Sequence, residues 1–120
     1  MATIRIADLK LRTIIGTNDW ERRTKQDIII NISLDYAATK AAKTDALKDT
    51  IDYKAMTKKI IKAVEGSDFF LLEKLTDMVL KIIMEDVRVL KATVRIDKPQ
   101  ALRFSQSVSV ELSKTKPSRK

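Results

Sequence analysis

The sequence predicts an α+β protein in which a four-stranded antiparallel sheet carries two helices on one face. Four segments alternate apolar and polar residues as strands do, and two segments between them place apolar residues at helical spacing. The order strand, strand, helix, helix, strand, strand is typical of a sheet whose helices lie on one side. The length of 120 residues suits one domain, which we place at residues 1–113, with a basic and disordered tail at 114–120.

The first two strands are predicted in the N-terminal third. Residues 3–14 alternate with a period close to two, apart from a slip at Ala7-Asp8 that indicates a β-bulge. Residues 27–36 form a second alternating run that is rich in isoleucine. The polar segment 16–25 between them is longer than a tight hairpin turn, and such loops often carry functional residues.

The chain then changes to helical periodicity. Residues 37–50 are rich in alanine and lysine, and we expect a partly helical connection in which Thr44-Asp45 is a possible helix start. Asp52 can cap a first long helix, and Gly66 is a plausible stop. The predicted apolar stripe of this helix comprises Met56, Ile60, Ile61 and Val64.

A second helix and two further strands complete the predicted fold. The helix is expected to start near Phe70 or Leu71, with a stripe of Leu71, Leu72, Leu75, Val79, Ile82 and Ile83. The strand at residues 89–97 should place Leu90, Ala92, Val94 and Ile96 on one face, and the strand at 105–112 should do the same with Val108, Val110 and Leu112. The sheet face without helices would stay open. Because apolar residues on that face would need to be covered, we expect the chain to form oligomers.

The chain contains no cysteine and no histidine, which limits its chemistry. A zinc site normally draws on these two residue types. Catalysis by a Ser-His-Asp or Cys-His arrangement is impossible without them. We therefore expect no zinc site, and the proton carriers of an enzyme here would be Glu, Asp, Lys, Tyr or water.

The net charge of +8 invites a nucleic-acid interpretation, but the charge distribution argues against it. Half of the excess comes from the last seven residues, which hold Lys114, Lys116, Arg119 and Lys120 and no acid. The other basic residues are interleaved with acids, and a phosphate ester would suit such a surface equally well. The absence of a long apolar run and of a signal-like N-terminus predicts a cytoplasmic protein without a membrane partner.

Four residues stand where they could serve chemistry, although each has a commoner role. Glu21 lies in the long loop, where most acids are simply solvated. Tyr53 starts the first long helix, where an aromatic usually packs. Glu73 lies in the first turn of the second helix, which favours acids through the helix dipole. Lys98 ends a strand, where it is usually an edge charge but can also shuttle protons.

The chain resembles the dihydroneopterin aldolase and dihydroneopterin triphosphate 2′-epimerase family from about residue 4 to residue 113. The order and spacing of several short pieces carry this resemblance. They are Leu11-Arg12-Thr13-Ile14-Ile15-Gly16, Trp20-Glu21 with Lys25-Gln26, Asp52-Tyr53, Leu71-Leu72-Glu73-Lys74-Leu75, Asp97-Lys98-Pro99 and Ser107-Val108-Ser109.

The resemblance implies a tunnelling fold, in which four subunits close their sheets into a barrel and two rings stack into an octamer. It also implies a pterin substrate bound between subunits and acid–base chemistry that needs no metal and no cofactor. Glu73, with backbone near Leu72, would anchor the amino-pyrimidine edge, and Tyr53 would come from the adjacent subunit to protonate C1′. Lys98 would carry protons at the 2′-hydroxyl, while Glu21 would orient the diol or a water.

The resemblance leaves two activities open. Asp19-Trp20-Glu21 and Lys98-Pro99 are similar to the aldolase, whereas Leu71–Thr76 and the segment 101–109 are more similar to the epimerase. Gln100 stands where the epimerase often has histidine, and Arg103 could serve a triphosphate. We expect the aldolase as the main activity and the epimerase as the alternative. Rival hypotheses are a basic nucleic-acid-binding module, an inactive oligomeric relative and a cyclohydrolase, whose zinc-dependent form the missing His and Cys disfavour.

Overall fold

The computed structural model describes residues 1–99 and 101–117. Gln100 and residues 118–120 of the predicted tail lie outside the described residues. No helix within the described ranges is long and apolar enough to cross a membrane, and the cytoplasmic location stays a prediction.

The protein is an antiparallel four-stranded sheet in the order β1-β2-β3-β4, with its two long helices packed on one face. This confirms the predicted fold class. The elements in chain order are β1 (Ala2–Thr13), β2 (Gln26–Tyr36), α1 (Thr39–Thr44), a 3₁₀ helix (Leu47–Asp49), α2 (Tyr53–Glu65), α3 (Leu72–Met84), β3 (Val89–Pro99) and β4 (Ser107–Thr115).

The slip in the alternation of β1 is a β-bulge, as predicted. The register of β1 against β2 shifts between Ile6 and Leu9. Asp8 takes up the extra residue with a φ of 54°, in the left-handed region that aspartate tolerates better than most side chains. Its backbone N–H donates to Asn31 Oδ1 on β2 at 3.0 Å, so the bulge stays tied to the sheet.

The helices lie where the sequence indicates and bury most of their apolar stripes. Leu71 is the exception, because it is the extended N-cap of α3 and is 53 % exposed. Asp52 caps α2 by accepting a hydrogen bond from Ala55 N at 3.0 Å, and Gly66 is its C-cap. The core between helices and sheet includes the fully buried Ile60, Val64, Leu75, Val79 and Ile83 on the helices and Ile28, Ile30, Val94 and Ile96 on the strands.

Three further details differ from the prediction. Thr44 ends α1 rather than starting a helix, because Asp45 turns into the left-handed conformation with a φ of 55°. Leu90 is 38 % exposed and Val89 is buried in its place, because the pairing of β2 with β3 shifts register between Asp35 and Tyr36. Strand β4 continues to Thr115, two residues into the predicted tail.

The sheet face turned away from the helices is mainly polar. On β2 it presents Asp27, Asn31, Ser33 and Asp35 beside Ile29, since the isoleucines that alternate with them enter the core. Covering of apolar residues on this face is therefore a weak reason for oligomerisation. The edge strands β1 and β4 offer a better one, because within a single copy each has only one neighbour.

Candidate functional site

The loop between β1 and β2 turns Glu21 into the protein. Gly16 makes this possible with a φ of +130°, a conformation that side-chain-bearing residues rarely adopt. A Cβ built on Gly16 would collide with the carboxylate of Glu21. The carboxylate therefore occupies the space that the missing side chain leaves, and Glu21 is only 4 % exposed.

Four hydrogen bonds hold the Glu21 carboxylate. Oε1 accepts from the backbone N–H of Asn18 at 3.2 Å and from Asn18 Nδ2 at 2.9 Å. Oε2 accepts from Gln26 Nε2 at 3.0 Å and from Lys98 Nζ at 2.8 Å. Gln26 is fixed in turn by a second hydrogen bond from its amide nitrogen to the Ile15 carbonyl at 2.7 Å. A buried carboxylate is tolerated in the fold because its oxygens are satisfied in this way.

Lys98 and Glu21 form a buried ion pair that joins residues 77 positions apart in the chain. The side chain of Lys98 is 14 % exposed and that of Glu21 is 5 % exposed. Burial raises the pKa of Glu21. The hydrogen bonds from Lys98, Gln26 and Asn18, together with the charge of Lys98, outweigh this and lower the pKa from 4.5 to about 2. Glu21 is thus ionised at neutral pH and keeps the Lys98 ammonium beside it.

Arg22 ties this loop to the start of α3. Its guanidinium donates to the Gly16 carbonyl at 3.0 Å, to the Phe69 carbonyl at 3.0 Å and to the Asp68 carbonyl at 2.6 Å. It also lies over the Phe70 ring, 4.0 Å from the ring centroid. The backbone N–H of Gly16 donates to the same Phe69 carbonyl at 3.3 Å. These contacts fix the position of α3 relative to the Glu21–Lys98 pair.

Leu72 and Glu73 begin α3 at this end of the molecule. Leu72 is buried and is 8 % exposed, whereas Glu73 is exposed in the first turn of the helix. Within the described ranges, the Glu73 carboxylate makes no hydrogen bond or ion pair. One chain therefore places the predicted anchor residues at the same end of the sheet as Glu21 and Lys98.

Tyr53 lies at the other end. It is the first residue of α2, is 52 % exposed and lines a groove with Ile4, Tyr36 and Ile51. Strand β1 runs from Ile4 at this groove to Thr13 beside Gln26, which is a span of about 30 Å at the usual rise of ~3.3 Å per residue. A single copy therefore does not bring Tyr53 to the other four predicted residues.

A pocket of about 500 Å³ adjoins the ion pair, and we name it the Trp20 pocket. Trp20 and Pro99 line it, and each is the chain neighbour of one member of the pair. Gln26 lines it as well, and two cationic residues, Lys10 and Arg12, lie on its β1 side. The remaining lining residues are Leu11, Asp27, Ile28 and Ile29.

Two other expectations concern groups outside this cluster. In the part of the chain that the structure describes, no three His, Cys, Asp or Glu residues are grouped to hold a metal ion. Arg103 lies in the loop before β4, with its guanidinium 5.4 Å from the Phe104 ring centroid, and it does not line the Trp20 pocket.

Sequence reasoning gave no role to Asn18, Arg22 or the side-chain contacts of Gln26. Gly16 and Gln26 were visible only as parts of the resemblance, and nothing in their spacing indicates that both serve Glu21. Arg22 donates to backbone carbonyls, which every residue has, so no residue type in the sequence indicates these contacts.

The family model for dihydroneopterin aldolase matches residues 4–113. The chain belongs to the dihydroneopterin aldolase family. This confirms the resemblance over the stretch where the sequence showed it, and the members of this family include lyases and epimerases that act on pterins.

The relatives of this family member fall into two groups. The dihydroneopterin triphosphate 2′-epimerase of Escherichia coli K12 is 47 % identical over 93 % of each chain. The enzyme of the same name from Pseudomonas aeruginosa is 43 % identical over 94 % of this chain and 92 % of its own. The solved structure of E. coli dihydroneopterin aldolase in complex with neopterin superposes with a TM-score of 0.90 at 26 % identity, covering 95 % of this chain and 99 % of that one.

Proposed function

We propose that this protein catalyses the inversion of C2′ in 7,8-dihydroneopterin triphosphate. The observation that carries the proposal is the contrast between relatives: two named 2′-epimerases are 47 % and 43 % identical, whereas the aldolase of known structure is 26 % identical. All of these matches cover more than nine-tenths of both chains. The contrast favours the 2′-epimerase activity, which the sequence analysis gave as the alternative, over the aldolase activity that we expected as the main one.

The reaction can proceed without a metal because the substrate supplies its own electron acceptor. In a 7,8-dihydropterin the C6=N5 imine is conjugated to C1′. Loss of the 2′-hydroxyl proton lets the C1′–C2′ bond break, and its electron pair moves into the ring as an enamine while C2′ becomes an aldehyde. If the aldehyde turns over and the enamine carbon attacks its other face, the bond re-forms with C2′ inverted. Protonation at C1′ instead releases the aldehyde and completes a cleavage.

The Glu21–Lys98 pair is suited to the proton transfers at the 2′ oxygen. Lys98 Nζ lies 2.8 Å from the ionised Glu21 carboxylate. Lys98 can donate to the 2′ oxygen as the bond re-forms and, with water as the other carrier, can pass on the 2′-hydroxyl proton in the cleavage direction. Glu21 holds the Lys98 amine in place and orients the diol.

The remaining roles need a second copy of the chain. We propose that Glu73 and the backbone near Leu72 bind the amino-pyrimidine edge of the pterin, since the Glu73 carboxylate is exposed at the same end as the ion pair. Tyr53, which lies at the other end of the sheet, would come from a neighbouring copy. Pairing of the edge strands β1 and β4 between four copies would give the barrel that the resemblance implies, and stacking of two such rings would give the octamer.

Aldol cleavage of 7,8-dihydroneopterin is the second candidate. Two facts favour it: the matching family model is that of the aldolase, and cleavage and inversion share the enamine intermediate. The balance between them depends on whether C1′ is protonated before the aldehyde re-adds. Tyr53 is our candidate for that proton.

The test incubates the purified protein with 7,8-dihydroneopterin triphosphate and, separately, with 7,8-dihydroneopterin, and resolves the products by chromatography. We expect the 2′-inverted triphosphate with little cleavage. Hydroxymethyl-dihydropterin as the main product of both substrates would make the protein an aldolase. Lys98→Ala should abolish either activity, while Lys91→Ala, an exposed lysine on the same strand, should retain it.

A further inference from the structure

The Trp20 pocket opens beside the reacting pair but holds none of the residues proposed for the chemistry. It shares Gln26 with the pair, whose amide nitrogen lies 3.0 Å from Glu21 Oε2. Trp20 and Pro99 line the pocket, and they are the chain neighbours of Glu21 and Lys98. Lys98 lies on the helix face of the sheet opposite Val108, whereas Lys10, Arg12 and Asp27 lie on the open face. A group attached to the carbon chain of a substrate at Lys98 would therefore reach this pocket by passing around the end of β2 at Gln26.

We propose that the Trp20 pocket binds the triphosphate arm of the substrate, with Arg12 and Lys10 as its cationic contacts. The inference rests on the proposed function, because only a phosphorylated pterin brings such an arm. It names Arg12 and Lys10 as the residues that make the protein prefer the triphosphate over the free pterin.

Arg12 is held in a position that suits phosphate. Its Nη2 donates to the Lys25 carbonyl at 3.1 Å, and its Nε lies 3.2 Å from Asp27 Oδ1 on the facing strand. The side chains of Arg12 and Asp27 are 64 % and 76 % exposed, so water screens their attraction and a multiply charged anion can displace the carboxylate. The planar guanidinium can then bind two phosphate oxygens at once.

Lys10 lies two residues earlier on the same face of β1, opposite Ile29. It makes no ion pair within residues 1–99 and 101–117, so its ammonium group is available to a ligand. Asp27 is the one acid among the described residues that line the pocket, and it opposes an anion. The pocket therefore carries two positive charges and one negative charge, and removing the negative one should improve phosphate binding.

The experiment measures kcat/KM of the assembled protein for the triphosphate and for 7,8-dihydroneopterin, counting inversion and cleavage together. Arg12→Ala should lower the ratio of kcat/KM for the triphosphate to kcat/KM for 7,8-dihydroneopterin by about tenfold or more, the scale of one lost charge-assisted contact. Asp27→Asn should raise the ratio. Arg5→Ala is the matched control, because Arg5 lies on the same strand and face, outside the pocket, and it should leave both values unchanged.

A second measurement uses inorganic tripolyphosphate as a competitor of the triphosphate substrate. It should inhibit the wild type and the Arg5→Ala variant equally, and the Arg12→Ala variant about tenfold more weakly, with inhibition that falls as salt is added. An unchanged substrate ratio and unchanged inhibition in Arg12→Ala would overturn the pocket assignment while inversion by the wild type still stood. Absence of inversion would overturn the proposed function. If the triphosphate is cleaved instead, weaker tripolyphosphate inhibition of that cleavage in Arg12→Ala would still support the pocket.

Discussion

The two ends of the sheet are built in different ways. At one end, Glu21 and Lys98 are buried, paired and held by further hydrogen bonds within a single chain. At the other end, Tyr53 is half exposed on the first turn of α2 and lines an open groove. The first end is pre-organised at a cost in desolvation, and the second is incomplete until another chain covers it. Changes at the first end should therefore alter folding stability, and changes at the second should alter activity alone.

Loss of one partner of the ion pair should have the largest effect on stability. Lys98→Met leaves the Glu21 carboxylate buried without its cation, and we expect the free energy of unfolding to fall by about 3–5 kcal/mol. Urea denaturation measures it, with the exposed Lys91→Met as control. The double variant Lys98→Met with Glu21→Leu should recover much of the loss. A single variant as stable as the wild type would show that the pair is not buried in solution.

The pH dependence of stability should show the same pair. The folded-state pKa of Glu21 is about 2, below its ordinary value of 4.5. Its contribution is therefore fully present above about pH 4.5 and is lost as the pH falls towards 2, which amounts to about 3 kcal/mol. Unfolding midpoints between pH 5 and pH 2 should follow a flatter curve in Glu21→Gln. Glu65→Gln, an exposed acid at the end of α2, should keep the wild-type curve.

Gly16→Ala should have the next largest effect. Its φ of +130° disfavours a side chain, and the new Cβ would meet the Glu21 carboxylate. We expect a loss of about 1–3 kcal/mol in the free energy of unfolding, together with a loss of activity as Glu21 is displaced from Lys98. Gly66→Ala is the matched control, because its φ of −90° is ordinary and its Cβ would make only a tight contact of 3.3 Å with the Lys62 carbonyl, without a collision. Equal destabilisation by both variants would contradict this account.

The same contrast explains what the sequence could predict. Local signals sufficed for the fold: the slip at Ala7-Asp8 marks the bulge, and Asp52 and Gly66 bound a helix. They failed at Leu90, because a register shift on a partner strand decides which residue of β3 enters the core. To predict which residues of a strand face the core, one needs its register with the adjacent strand as well as its own apolar pattern.

The site shows a second limit. Composition restricted the proton carriers to a few residue types, position in a long loop and at a strand end made Glu21 and Lys98 candidates, and the resemblance gave them roles. Their direct contact spans 77 positions, and no spacing rule reaches that far. The supporting contacts were harder still, because Arg22 binds the Gly16, Asp68 and Phe69 carbonyls and depends on where three stretches of backbone meet.

Tyr53→Phe should have the smallest effect on stability and separates the two ends most directly. The hydroxyl group belongs to a half-exposed side chain, so the free energy of unfolding should change by no more than about 0.5 kcal/mol. Cleavage of 7,8-dihydroneopterin should nevertheless fall, because Tyr53 is our candidate for protonating C1′ and lies at the opposite end of the sheet from Lys98, so that each site depends on two chains.

The sharper measurement unfolds Tyr53→Phe and Lys98→Ala chains together and refolds them as mixed oligomers. Some interfaces then combine an intact Tyr53 from one chain with an intact Lys98 from another, and cleavage activity should exceed that of either variant refolded alone. Mixtures no more active than the separate variants, at a ratio where mixed oligomers are demonstrated, would mean that Tyr53 acts within its own chain or not at all.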